Sequence, residues 1–300
     1  MTMTSHKYPQ KVLLAVDGSE YSEAAVSLVS RLPLSFESTV ICLSVIAPLR
    51  QHQRPVLEAA LEGASSKLRE TVQNVKVELR QGYPASEVID YADQNQIDLI
   101  VVGAKGLRNT INIPLGGVAQ QVVEFARCPI LIVRRTVNRL RQVGLAVDGS
   151  TQSMRATEYL SGFSLPPRAF VRVCHVLPPP PLDEFIRETG FLSSYMNVSI
   201  NWDEVVEQSA RQMQREEKEG KKLLNNTLSQ LRDSEVRASK VLLRGDAATE
   251  LLKYTDENEL DLLVAGSRGL SPIKSWLLGS ISRNLVYHAR CSVMVVKGRI

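Results

Sequence analysis

At 300 residues the chain has the length of two ordinary domains, and with 44% hydrophobic residues each can bury a core without disulfide or metal staples. A net charge of +4, with acids and bases interspersed and no basic block interleaved with aromatics, argues against nucleic acid as a partner. The N-terminus lacks an apolar signal core, no apolar run reaches membrane-spanning length, and Cys42, Cys128, Cys174 and Cys291 show no C-x-x-C spacing. A cytoplasmic protein without membrane partner, disulfide scaffold or zinc site is therefore expected.

Along the chain, short apolar runs at 12–16, 40–46, 75–80, 99–102 and 130–133 read as strands. Between them, apolar residues at helical spacing mark helices at 22–31, 56–72, 85–95 and 118–126. The short polar stretch 134–141 reads as a linker, after which strands recur at 144–147, 171–177, 238–243, 262–265 and 293–296, with a last helix at 281–289. Alternating β and α with strands apolar throughout predicts α/β architecture: two tandem open parallel five-stranded sheets, each covered on both faces. The predicted domains are 1–136 and 141–300.

The two halves are copies. Leu14-Ala15-Val16-Asp17-Gly18-Ser19 recurs as Leu145-Ala146-Val147-Asp148-Gly149-Ser150, an offset of 131. From Gly82/Gly245 through Gly103/Gly266 to Cys128/Cys291 the offset is 163, so copy two holds 32 additional residues between its second and third strands. This inserted segment, about 178–232, opens with Pro178-Pro179-Pro180-Pro181, which should leave the sheet as an extended spur. It continues through Trp202 and the charged run 215–219 as a long polar helix over 203–232, interrupted at Gly220. A solvated helix and a lid over the second site are both compatible with so long a connection.

Each copy also carries a glycine-spaced turn: Gly103-x2-Gly106-x9-Gly116-Gly117, and Gly266-x2-Gly269-x9-Gly279-Ser280. In open parallel sheets, ligands bind at the carboxyl ends of the strands, where Asp148 and Gly266 fall. Gly279-Ser280 opens the last helix, whose unpaired N–H groups and dipole suit phosphate. Gly266 and Gly269 would let the backbone approach a ligand, Ser280 and Ser282 add hydroxyls, and Arg268 adds a charge. Taken singly, these are also ordinary turn glycines and a helix cap. Asp17 and Asp148 likewise suit an Asp-Gly-Ser turn, with Ser19 or Ser150 filling the cap, as well as ligand contact.

On these motifs the chain resembles the universal stress protein family in its tandem form, over nearly its whole length except the insertion. The resemblance implies a Rossmann-like, adenine nucleotide α-hydrolase-like fold whose copies form an internal pseudo-dimer through their final strands, with a homodimer of the whole chain also plausible. Copy two matches the ATP-binding members' Gly-x2-Gly-x9-Gly-(Ser/Thr) in full. It follows from the resemblance that Ala146, Val147 and Asp148 meet adenine and ribose, with Val176 beside the base. Ala265, Gly266, Arg268 and Gly269 would follow ribose and phosphates, and Gly279, Ser280, Ile281 and Ser282 would close on the triphosphate. Mg2+ or Mn2+ would ride on the phosphates with few protein ligands.

Copy one keeps Ala15, Val16, Asp17, Val45, Val102, Gly103, Lys105, Gly106 and Gly116, but Gly117 stands where Ser280 does and Ala119 where Ser282 does. Hydrogen bonds to charged groups contribute roughly 1.5–3 kcal/mol, partly replaceable by water; even a net ~1.4 kcal/mol means about tenfold weaker binding. Copy two is therefore expected to be the principal ATP site and copy one a weak or empty one.

His175 and His288 lack a second ligand at metal spacing and read as structural or surface residues, as do His6 and His52. Cys128 and Cys291, each in Ala-Arg-Cys, read as small buried hydrophobes. Neither a Walker sequence nor a His-x-Gly-His pair occurs, and nothing in the motif reads as a general base. A nucleotide-dependent regulator in stress response is expected, with a weak ATP hydrolase and a nucleotide-independent scaffold as alternatives.

Overall fold

The computed structural model describes residues 9–107, 114–137, 139–163, 165–181, 202–269 and 278–298. In copy one the order is β1 (Lys11–Ala15), α1 (Glu20–Val29), β2 (Thr39–Ile46), α2 (Arg54–Arg69), β3 (Asn74–Gln81), α3 (Pro84–Gln94), β4 (Leu99–Gly103), α4 (Gly117–Phe125) and β5 (Ile130–Val133). Copy two follows with β6 (Gln142–Ala146), α5 (Thr151–Gly162), β7 (Phe170–Leu177), α6 (Trp202–Asp233), β8 (Ala238–Arg244), α7 (Ala247–Glu257), β9 (Leu262–Gly266), α8 (Ser280–His288) and β10 (Ser292–Val296). The strand and helix boundaries differ from the sequence expectation by at most three residues, the largest shift being at the end of α2.

Within each copy all pairings are parallel, in the orders β3-β2-β1-β4-β5 and β8-β7-β6-β9-β10. The chain starts at an interior strand, runs to one edge, then crosses back over β1 to β4, so the order reverses between β1 and β4, and likewise between β6 and β9. Each such reversal opens a crevice at the strands' carboxyl ends. β4, β5, β9 and β10 are buried along their whole length, as expected of strands covered on both faces. Half-exposed, polar β3 and β8 form the outer edges.

The short final strands, open edges of each copy, close on one another. β5 pairs antiparallel with β10 (Ile132 opposite Val293, Leu131 opposite Met294, Ile130 opposite Val295), joining the halves into one ten-stranded sheet. This buries two apolar edges that would otherwise invite intermolecular pairing. The linker is less polar in practice than it reads. Val137 and Leu140 are buried, and Arg31, in the turn after α1, donates to the Val137 carbonyl at 3.1 Å.

The insertion departs most from expectation. Gly220 does not interrupt α6, which runs unbroken for 32 residues. A Cβ at Gly220 would lie 2.9–3.1 Å from side-chain atoms of His175, Leu177 and Leu242, so glycine lets the helix approach the sheet closely without moving them. Leu224, Leu228 and Leu231 face one way at helical spacing and are buried, each contributing roughly 1.5–3 kcal/mol. This half of α6 takes the place over β7 and β8 that α2 takes over β2 and β3. The preceding half is largely exposed and carries i,i+4 pairs such as Arg211–Glu207 at 2.6 Å. Most of the proline spur's continuation, 182–201, lies outside the described residues.

Candidate functional site

Both crevices begin in the same turn. Gly18 and Gly149 have φ of +80° and +81°, a conformation glycine adopts without strain. The preceding aspartate folds back on the turn: Ser19 N–H donates to Asp17 Oδ1 and Ser150 N–H to Asp148 Oδ1, each at 2.9 Å. The serine hydroxyls then cap α1 and α5, accepting from Ser22 N–H and Ser153 N–H at 3.2 Å. In copy one the other carboxylate oxygen accepts from Leu107 N–H at 3.2 Å, fixing the loop after β4 to the loop after β1.

The motif glycines answer first to packing. A Cβ at Gly103 would sit 2.8 Å from the Tyr21 backbone, and one at Gly266 2.7 Å from the Gln152 backbone, so α1 and α5 enter over the strand ends only where a side chain is missing. A Cβ at Gly106 or Gly269 would meet Asp17 or Asp148 Oδ2 at 2.6 Å. Room for the aspartate carboxylates and the entering helices, rather than room for a ligand, is thus what the described contacts of these four glycines require. Gly117 differs, having nothing among the described residues within 4 Å of its Cβ position.

In copy one the turn, β2, β4 and α4 enclose a cavity of about 450 Å³. Ala15, Val16 and Asp17 line it from β1 and its turn, Val45 from β2, and Val102 and Gly103 from β4. Lys105, Gly106 and Gly117 complete that side; of the expected residues only Gly116, the N-cap of α4, is outside the lining. Sequence reasoning missed Arg50 and Gln53 in the segment before α2, Leu57 in the first turn of α2, and Tyr83 and Gln121. They lie outside the repeated motif, and no spacing marks them.

In copy two the corresponding cavity is about 70 Å³. Ala146, Val147 and Asp148, Val176, and Ala265 and Gly266 line it, with Arg268, Gly269, Ile281 and Ser282. Ser153, Ala247 and Leu251 were missed. Residues 270–277 lie outside the described residues, and α6 contributes no described residue to the lining, so its packing offers no support for a helical lid.

The hydroxyls separate on inspection. Ser280 is exposed at the first position of α8, and the N–H groups of Ser280, Ile281 and Ser282 have no intrahelical acceptor because the ladder begins with Arg283 N–H to the Gly279 carbonyl. Ser282, expected to face phosphate, is buried and donates to the Gly266 carbonyl at 2.7 Å, tying α8 to the end of β9. His175 Nδ1 lies 2.8 Å from the Val147 carbonyl, a satisfied structural histidine. His288 and His52 are exposed, and His6 lies outside the described residues. All four cysteines are buried, and burial pushes the Cys42 and Cys174 thiols up to about 12 and Cys291 to about 11, which keeps them protonated and unreactive. Among the described residues no helix is long and apolar enough to cross a membrane.

A model of the universal stress protein family matches residues 9–134 and 195–297. A universal stress protein of Mycolicibacterium smegmatis is 24% identical over an alignment of 318 positions spanning 96% of this chain and 97% of that one. The universal stress protein YxiE of Bacillus subtilis is 27% identical over 153 residues, covering 51% of this chain and 96% of YxiE. Among solved structures, a universal stress protein from Archaeoglobus fulgidus superposes over 97% of this chain and 99% of its own with TM-score 0.65 at 18% identity. A Pseudomonas aeruginosa protein described as a universal stress protein covers 99% of this chain and 96% of its own with TM-score 0.61 at 16% identity.

Proposed function

The chain belongs to the universal stress protein family, and from that premise we propose that it is an adenine-nucleotide-binding regulator of stress response whose principal ATP site is the crevice of copy two. The observation that carries this reading is the exposed start of α8, where the N–H groups of Ser280, Ile281 and Ser282 have no acceptor within the helix; Ile281 and Ser282 line the switch-point crevice together with Asp148, while Gly279 and Ser280 lie outside its lining, one step before them. A triphosphate is held by such an end without a lysine clamp, and Arg268 on the adjoining turn adds positive charge. The chemistry of the lining suits a nucleotide: Ala146, Val147, Val176 and Leu251 supply apolar surface for a base, and Asp148, Arg268 and Ser282 supply polar groups. Mg2+ or Mn2+ would arrive on the phosphates.

Copy one has the same N–H groups at α4 but no hydroxyl, since Gly117 opens the helix. We propose that its crevice binds the nucleoside part and holds the phosphates about tenfold more weakly. The larger cavity of copy one favours a second reading, in which a nucleotide enters copy one first and copy two opens only with ligand. ATP titrations of Ser280→Ala and Gly117→Ser decide between them. The first reading expects Ser280→Ala to weaken the tighter site and Gly117→Ser, for which there is open space, to strengthen the weaker. Unchanged affinity in Ser280→Ala contradicts it.

Regulation rather than turnover is proposed because Asp148, the carboxylate nearest the crevice, already accepts the Ser150 N–H. A single-turnover hydrolysis rate abolished by Ser280→Ala would assign catalysis instead.

A further inference from the structure

Arg134 and Lys297 occupy equivalent positions, 163 residues apart, each just past the final strand of its copy. Because β5 and β10 run antiparallel, each side chain emerges beside the other copy's last helix. Arg134 donates through Nη2 to the Val286 and Tyr287 carbonyls at the end of α8 (the latter at 3.2 Å). Lys297 Nζ donates to the Glu124 and Ala126 carbonyls at the end of α4, at 2.8 and 2.9 Å. The last carbonyls of a helix have no partners within it, and the dipole there favours a cation. Each helix therefore ends on a cation supplied by the opposite copy.

These same helices begin at the crevices. α4 and α8 are nine residues each, ~13 Å long, and so move as short rigid rods. Whatever fixes the carboxyl end fixes where the open N–H groups sit in the crevice. Arg134 does more: its Nη1 also donates to the Pro114 carbonyl at 3.0 Å, two residues before the Gly116 cap of α4. One guanidinium thus ties the phosphate turn of copy one to the helix that forms the phosphate turn of copy two. Arg283 in the first turn of α8 reaches Glu124 in the last turn of α4 at 2.7 Å, a further tie between the two helices.

We infer that Arg134 and Lys297 are positioning residues that set nucleotide affinity in the opposite copy's crevice, so that neither copy forms its site alone. The inference rests on the nucleotide reading above and adds the dependence of each site on the other half of the chain. It also accounts for why a copy with a reduced phosphate motif is retained: copy one supplies the cation that seats α8.

Hydrogen exchange of the full chain, followed as a function of ATP concentration, reads the two crevices separately through protection at 103–107 and 117–120 and at 266–269 and 280–283. Lys297→Met is expected to raise the ATP midpoint of the copy-one crevice about fivefold or more while moving that of copy two less than about twofold. Lys297→Arg should restore it. Arg134→Met is expected to raise the copy-two midpoint and, through Pro114, that of copy one as well, with Arg134→Lys as the variant that keeps the charge if Arg134→Met fails to fold. Lys297→Met leaving copy one unchanged, or weakening both crevices equally as general loosening would, overturns the inference while leaving nucleotide binding intact. ATP protecting neither crevice in the natural protein overturns both.

Discussion

The two copies share a turn, a strand order and a crevice, yet the features that the proposed nucleotide site calls for are divided between them. Copy one has the roomier cavity and a bare helix start; copy two has the hydroxyl-bearing helix start and the narrower cavity. The lesson lies in which features are shared. The duplicated glycines and aspartates are held in common because they pack the fold, as the contacts at Gly103, Gly266, Gly106 and Gly269 show. Among the positions where the copies differ, Gly117 meets nothing described within 4 Å and Ser280 is exposed, whereas Ser282, opposite Ala119, is tied to the Gly266 carbonyl.

The largest effects should come from the element that copy two enlarged. Leu231→Ala, at a fully buried position of α6, is expected to cost about 2–5 kcal/mol in urea unfolding. Val206→Ala in the exposed half should stay within about 0.5 kcal/mol. Equal losses would mean that the whole insertion is core, erasing the difference between α6 and α2. Next come the shared glycines. Gly266→Ala must displace the Gln152 backbone and should cost about 1–3 kcal/mol without any ligand present. Gly63→Ala in α2, where nothing lies within 4 Å, should instead stabilise by roughly 0.5–1 kcal/mol. A Gly266→Ala variant of natural stability that loses only ATP would show that the glycine serves the ligand after all.

A smaller effect sharpens the contrast between the two cross-copy cations. Burial holds Lys297 down to about 8, well under its ordinary 10.5, with nearby Cys128 and Glu124 opposing the shift and Arg268 adding to it. The unfolded chain keeps this proton up to 10.5 whereas the folded chain releases it from about 8. The cost of burying the charge is therefore present below pH 8 and relieved as the pH rises from 8 to 10.5. Stability of Lys297→Met minus that of the natural chain should fall across this window, by at most about 1.4 kcal/mol per unit of displacement. The buried thiols lose stability over an overlapping range, but they cancel in the difference. A flat difference from pH 8 to 10.5 would place the ammonium in solvent.

Much of this was legible in the sequence because the signals were local and repeated. Buried parallel strands appear as unbroken apolar runs, β5 and β10 among them; that these two final strands meet was implied by the family resemblance rather than by their residues. The Asp-Gly-Ser turns announced both the positive-φ glycines and the serine caps. The failures arose where one residue type serves two physical ends. Gly220 reads as a helix breaker, but tertiary approach to His175, Leu177 and Leu242 outweighs a propensity cost of about 1 kcal/mol. Ser282 reads as a phosphate donor, but its hydroxyl is used by the Gly266 carbonyl. Arg50 and Tyr83 reach the copy-one cavity from loops whose spacing carries no period. The reach of Arg134 across the pseudo-twofold axis was invisible, since only the antiparallel junction of β5 and β10 brings α8 beside it.

The central claim, that one helix start distinguishes a principal ATP site from a lesser one, is tested most directly by exchanging the distinguishing residue. ATP binding to the Gly117→Ser, Ser280→Gly double variant should be measured crevice by crevice. The account predicts that the tighter site moves from copy two to copy one, by about tenfold in the ratio of affinities. A ratio that stays with copy two after the exchange would contradict it.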